Sequence, residues 1–204
     1  MDILEIGKEV IEEEIKTIEK VKEELDENFV IAVEIIMQCK GKVIFTGLGK
    51  SGHIGKKLAA TFASTGTPSF FVHATEALHG DLGMITKDDV VIAISNSGET
   101  KEIIEIIPSL KIIGAKIISM TANENSSLAK KSHIHIKVKA EKEADHLNIA
   151  PTASTTSVLA VGDAIGVTLS ILKGFKKENF AVFHPGGSLG KMLLSKINLE
   201  GEEL

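Results

Sequence analysis

The run Ser95-Asn96-Ser97-Gly98-Glu99-Thr100 sets three hydroxyls, a carboxamide and a glycine between an apolar segment and a helix-forming one. Hydroxyl and backbone N–H groups at a helix mouth donate to phosphate oxygens, and the helix dipole favours an anion there, so this run suits a phosphate monoester held without a metal. The same composition also serves as an ordinary helix cap, and alone it establishes no more than one or the other. A second run, Gly47-Leu48-Gly49-Lys50-Ser51-Gly52-His53-Ile54-Gly55, lets backbone approach an anion at Gly49 and adds the Ser51 hydroxyl. It nearly fits a dinucleotide fingerprint, but the next expected strand ends Phe71-Val72-His73, with no acid for a ribose. A Walker loop fails too, because Lys50-Ser51 does not follow the required G-x-x-x-x-G spacing. Two hydroxyl-bearing turns on neighbouring strands can face one crevice.

A repeated strand, turn and helix pattern must position these turns. Short runs rich in β-branched residues at 42–46, 69–73, 90–95, 116–120 and 133–138 show little polar alternation, as expected of strands buried on both faces of a parallel sheet. Helical spacing lies between them at 53–64, 101–113 and 126–131, followed by a long helix over 152–172 and a short one over 187–194. The expected fold is α/β, a three-layer αβα sandwich around a five-stranded parallel sheet in flavodoxin-like order, with ligands beyond the carboxyl ends of the strands. Residues 2–25 form an amphipathic helix with Leu4, Ile11, Ile18 and Leu25 seven apart, a stripe suited to another subunit, and a second helix is expected over 28–39. The whole chain, 1–204, is expected to be one domain, with residues 1–40 as N-terminal helices and 41–195 as the binding core.

Composition narrows the partners. The formal net charge is -5 with acids and bases interspersed, and there is no Trp or Tyr, so neither nucleic acid nor an anionic membrane is an expected partner. The single cysteine, Cys39, cannot close an internal disulfide and is expected as a buried thiol at the end of a helix. The N-terminus lacks a basic leader pattern, and no apolar run is expected to span a bilayer, which points to a cytoplasmic protein.

Further runs carry a family likeness: 50–55, 64–73, Glu76-Ala77-Leu78-His79-Gly80-Asp81-Leu82-Gly83-Met84, the 95–100 loop, Ala150-Pro151-Thr152 and His184-Pro185-Gly186-Gly187-Ser188-Leu189-Gly190. Together they resemble the D-arabinose 5-phosphate isomerases of the sugar-isomerase (SIS) class, over roughly residues 6–194 and in order. The resemblance implies interconversion of D-ribulose 5-phosphate and D-arabinose 5-phosphate on the route to the eight-carbon acid Kdo. It also implies a homo-oligomer, a tetramer, with no cofactor. This chain resembles the short form without CBS modules, and it has Asp145-His146 where the family pattern has Cys-Pro.

Aldose–ketose isomerisation moves a proton between C1 and C2 through an enediol and needs a base and oxyanion donors. The resemblance assigns catalysis to Lys50, Glu102, Glu143 and His184, with His79 nearby, and substrate phosphate binding to Gly49, Ser51, Ser95, Asn96, Ser97 and Thr100. Glu102 falls in the first turn of the helix after the cradle, and Glu143 falls on a polar loop after the fifth strand. His53, His133, His135 and His146 are expected to be structural or surface groups. No functional metal is expected, although His79 with His184 suits an inhibitory zinc. The rival within the class is an isomerase of a hexulose 6-phosphate, and the rival outside it is a non-catalytic sugar-phosphate sensor.

Overall fold

The computed structural model describes residues 2–187 and 190–192. Five parallel strands, β1 (Val43–Gly47), β2 (Ser69–His73), β3 (Val90–Ile94), β4 (Lys116–Thr121) and β5 (Ile134–Lys137), pair in the order β2-β1-β3-β4-β5. That is the flavodoxin-like order, with its switch point between β1 and β3. Every residue of β1 and β3 is buried, which explains their unbroken apolar character.

Alternate strand residues serve opposite faces. Phe45, Ile92 and Ile118 pack with α1 (Ile3–Glu24), α2 (Glu27–Met37), α3 (Gly49–Ser64) and α7 (Ala153–Leu172). Ile44, Val91 and Ile117 pack with α4 (Ala74–Leu78), α5 (Lys101–Ile113) and α6 (Ser127–Lys131). The αβα sandwich follows.

Several local expectations need correction. Helix α3 begins at Gly49, not at residue 53, so Lys50 and Ser51 lie in its first turn. Its glycines serve close packing: a Cβ on Gly52 would stand 3.1 Å from the Gly47 carbonyl oxygen, and one on Gly55 3.1 Å from the Phe71 ring. Helix α4, a 3₁₀ turn over Asp81–Met84, and α8 (Lys177–Phe183) were not expected; of the helix expected over 187–194, residues 190–192 are helical and the rest apart from Gly187 lies outside the described residues. Cys39 lies beyond the end of α2, half-buried, with its Sγ 3.4 Å from the Asp88 carbonyl oxygen, and burial pushes its thiol pKa up.

Helix α7 is also, by length and composition, apolar enough to cross a membrane, contrary to expectation. Its buried face, including Val161, Ile165 and Leu169, belongs to the core, while Val167, Ile171 and Leu172 stay exposed. Gly162 allows its close approach to α3, since a Cβ there would run into the Leu58 side chain. Gly162→Ala is therefore expected to cost about 1–3 kcal/mol by overpacking, read from the urea midpoint at constant m-value. The first half of α1 stands clear of the core: Ile3, Leu4, Val10 and Ile11 are exposed, whereas Thr17 and Val21 are buried.

Candidate active site

A cleft of about 350 Å³ opens beyond the carboxyl ends of β1 and β3, at the switch point. The β1–α3 connection lines it with Leu48, Lys50, Ser51 and Ile54. The end of β3 and the loop after it contribute Ile94, Asn96, Ser97 and Thr100, and the start of α7 contributes Pro151, Ser154, Thr155 and Val158. Helices α3, α5 and α7 thus all begin at this cleft, and each points a positive dipole end toward it.

The 95–100 loop has a definite inner order. Ser95 is buried, with its Oγ 2.8 Å from Thr100 Oγ1, and it accepts from the Gly98 amide at 3.1 Å. It holds the loop's shape and does not line the cleft. Thr100 is the N-cap residue of α5, yet its side chain makes no capping bond and faces the cleft. The back of the loop leans on the segment entering α6. Ala122 N donates to the Asn96 carbonyl at 2.9 Å, Leu128 N donates to the Gly98 carbonyl at 3.0 Å, and Ser127 N donates to Glu99 Oε1 at 2.7 Å. The Ser127 amide holds the exposed Glu99 carboxyl below its usual pKa. With Glu99 occupied in this way, Asn96, Ser97 and Thr100 are left toward the crevice.

Glu143 lies behind the start of α7. Its Oε2 accepts from Thr152 N at 2.8 Å and Ser154 N at 3.1 Å, with the Thr152 hydroxyl at 3.3 Å. Burial pushes its carboxyl pKa up, but the Ser154 hydroxyl and these amides outweigh burial and hold it below the usual range. The carboxylate thus caps α7 and occupies its free amides. In the same loop Asp145, standing where the family pattern has Cys, accepts from Ile149 N and Ala150 N at 3.1 Å each, so a carboxylate closes this turn.

Of the expected site residues, the structure brings Lys50, Ser51, Asn96, Ser97 and Thr100 to one surface. Gly49 sits just behind them at φ 55°. Glu102, half-buried in the first turn of α5, and Glu143 do not line the cleft among the described residues. His79 is exposed at the end of α4. His184 ends α8, with its Nδ1 3.0 Å from the Phe180 carbonyl oxygen and its ring stacked 3.8 Å from that of Phe180. Among the described residues no group of three His, Cys, Asp or Glu side chains gathers to hold a metal ion. His133 and His135 are tied to the sheet through the Ile117 amide and the Thr121 hydroxyl, each at 2.9 Å. Sequence reasoning missed Ser154 and Thr155, which carry no motif signal inside a small-residue helix.

Fold and cleft define a doubly wound α/β protein with a hydroxyl-lined cleft at its switch point. Residues 35–168 match the SIS domain family, and the chain belongs to that family. It is similar to the arabinose 5-phosphate isomerase KdsD of Escherichia coli K12, 52% identical over 197 residues, which are 97% of this chain and 60% of the relative. The Francisella tularensis protein of the same name is 54% identical over 187 residues, 90% of this chain and 57% of its own. The chain thus spans about 60% of the length of the curated relatives it matches. Among solved structures, E. coli CFT073 c3406 in complex with arabinose 5-phosphate superposes with a TM-score of 0.88 at 49% identity, over 91% of this chain and all of that one.

Proposed function

We propose that this chain is an aldose–ketose isomerase that interconverts D-ribulose 5-phosphate and D-arabinose 5-phosphate through an enediol. The observation that carries the reading is the polarity of the cleft. At one end the hydroxyls of Ser51, Ser97 and Thr100 meet the mouths of α3 and α5, where no described carboxylate takes the amides. At the other, the mouth of α7 is already occupied by the ionised Glu143. A phosphate dianion is favoured at the first end and repelled from the second, so the sugar's C1–C2 end is directed toward α7.

In this reading Ser51, Asn96, Ser97 and Thr100 hold phosphate, with the backbone of Gly49 beside them and Ser95 bracing the 95–100 loop. Lys50 supplies a positive charge, and the proton transfers fall to Glu102, Glu143 and His184, with His79 nearby. The names of the KdsD relatives and the structural neighbour bound to arabinose 5-phosphate support the substrate. We extend the proposal to supply of Kdo or a related sugar, to a cytoplasmic location, and to a tetramer using the exposed apolar half of α1. Zinc at His79 and His184 would inhibit.

Incubating the pure protein with ribulose 5-phosphate and following aldose by NMR tests the reading. Steady formation of arabinose 5-phosphate is expected. Binding without turnover would overturn it in favour of a sugar-phosphate sensor.

A further inference from the structure

Glu143 holds a charge next to the cleft without lining it, so any action on a sugar needs an intermediary. The start of α7 offers several hydroxyls. Thr152 Oγ1 reaches Glu143 at 3.3 Å and accepts from Ala144 N at 2.8 Å, but it does not line the cleft. Thr155 lines the cleft, but its Oγ1 donates to the Thr152 carbonyl at 2.9 Å. Ser157 is fully buried and donates back to the Ala153 carbonyl at 2.8 Å. Ser154 alone of these four both lines the cleft and bonds Glu143, through its amide at 3.1 Å, and its hydroxyl helps hold that carboxyl below the usual range. A serine hydroxyl donates once and accepts through two lone pairs, so Ser154 can donate to Glu143 while accepting from a hydroxyl in the cleft.

We propose that Ser154 is the contact through which Glu143 exchanges protons with the sugar, an inference that rests on the isomerase reading above. After removal of the C2 hydrogen of the aldose, the enediolate carries its negative charge on O1 and a proton on O2, whereas the ketose needs the reverse. The O2–H bond breaks as its proton binds Ser154 Oγ, and the Ser154 O–H bond breaks as its proton binds the Glu143 carboxylate. The electron pair left on O2 forms the C2 carbonyl as the C1–C2 double-bond pair takes up, at C1, the proton that the base had removed from C2, which restores that base. Reversal of the relay then delivers the proton from Glu143 through Ser154 to O1, so the protein ends unchanged and nothing else is consumed. The bond from the Ser154 amide to Glu143 does not involve the hydroxyl, so the cap of α7 survives loss of the side-chain oxygen.

Two measurements on the full chain test this. Ser154→Ala is expected to lower kcat for ribulose 5-phosphate about 100-fold, at the low end of proton-transfer effects, with KM within about twofold. The double variant Ser154→Ala/Glu143→Gln should be no slower than Glu143→Gln alone. Losses that multiply instead, or a drop in Tm matching the drop in rate, would overturn the relay. Independently of turnover, the carboxyl ¹³C resonance of Glu143 should move when arabinose 5-phosphate is added to the wild type and stay fixed in Ser154→Ala. No movement in the wild type, or equal movement in both, would overturn the link. Coupled movement in a protein that turns over no ribulose 5-phosphate would instead bring down the isomerase reading and leave the Ser154 link standing.

Discussion

Gly98→Ala is expected to raise the KM for ribulose 5-phosphate, and the Kd for inorganic phosphate, by about 100-fold or more, while Gly49→Ala raises them only about tenfold. Both glycines have left-handed backbone, at φ 68° and 55°, where an alanine costs roughly 1–2 kcal/mol, about a tenfold effect when charged to the bound conformation. Their surroundings differ. Nothing stands within 4 Å of a Cβ built on Gly49, whereas one on Gly98 would run into the Ser126 hydroxyl and lie 3.2 Å from Thr121 Cγ2. Ser126 caps α6 by accepting from Ala129 N at 3.3 Å, and displacing a cap costs about 1 kcal/mol more. The alternative is that the loop shifts, breaking the bonds from Gly98 N to Ser95 Oγ and from Leu128 N to the Gly98 carbonyl. Either way Asn96, Ser97 and Thr100 lose their common orientation. Calorimetric titration with phosphate reads the difference. Equal penalties at the two glycines would show that the brace against α6 contributes nothing to binding.

The hydroxyl-lined end of the cleft was legible in the sequence because its residues are local. Three hydroxyls, one glycine and the N-cap of a helix fall within six consecutive residues, and the parallel sheet that aims them announces itself through β-branched runs without polar alternation. Gly47–Gly55 was legible in type but not in shape. Glycines signal close approach, and the partner proved to be the Phe71 ring and the protein's own backbone, so the helix starts four residues earlier than a glycine turn suggests. Helix α4 spans only five residues and leaves no periodicity to detect.

The carboxylate end was legible only through the family likeness, and the reason is distance along the chain. Glu143 meets Ser154 eleven residues away, across an irregular loop whose form depends on Asp145 bonding forward to Ile149 and Ala150. In the sequence both acids look like surface groups. Ser154 in turn looks like one more small residue of a packed helix, because what marks it is a carboxylate on one side and a cleft on the other.

Glu143→Gln separates the two duties of this carboxylate. The amide oxygen of glutamine can still accept from Thr152 N and Ser154 N, so the fold and the position of Ser154 should persist, with a loss of about 1 kcal/mol at neutral pH from the weaker cap. Activity should fall much further, about 10²–10⁴-fold in kcat, because a neutral amide cannot take the proton. Stability supplies an internal control. The Glu143 carboxyl is held below its unfolded pKa despite burial, so between the two values the unfolded chain binds more protons and stability rises with pH. Its contribution is full above the usual carboxylate range and is lost as pH falls through the lowered folded value. Urea unfolding should therefore show wild type and Glu143→Gln converging toward acid pH and diverging toward neutrality. A variant with the expected stability profile but undiminished kcat would make Glu143 a helix cap and nothing more. Loss of kcat with the converging profile would show one carboxylate serving both ends, structural through the amides of α7 and chemical through its charge.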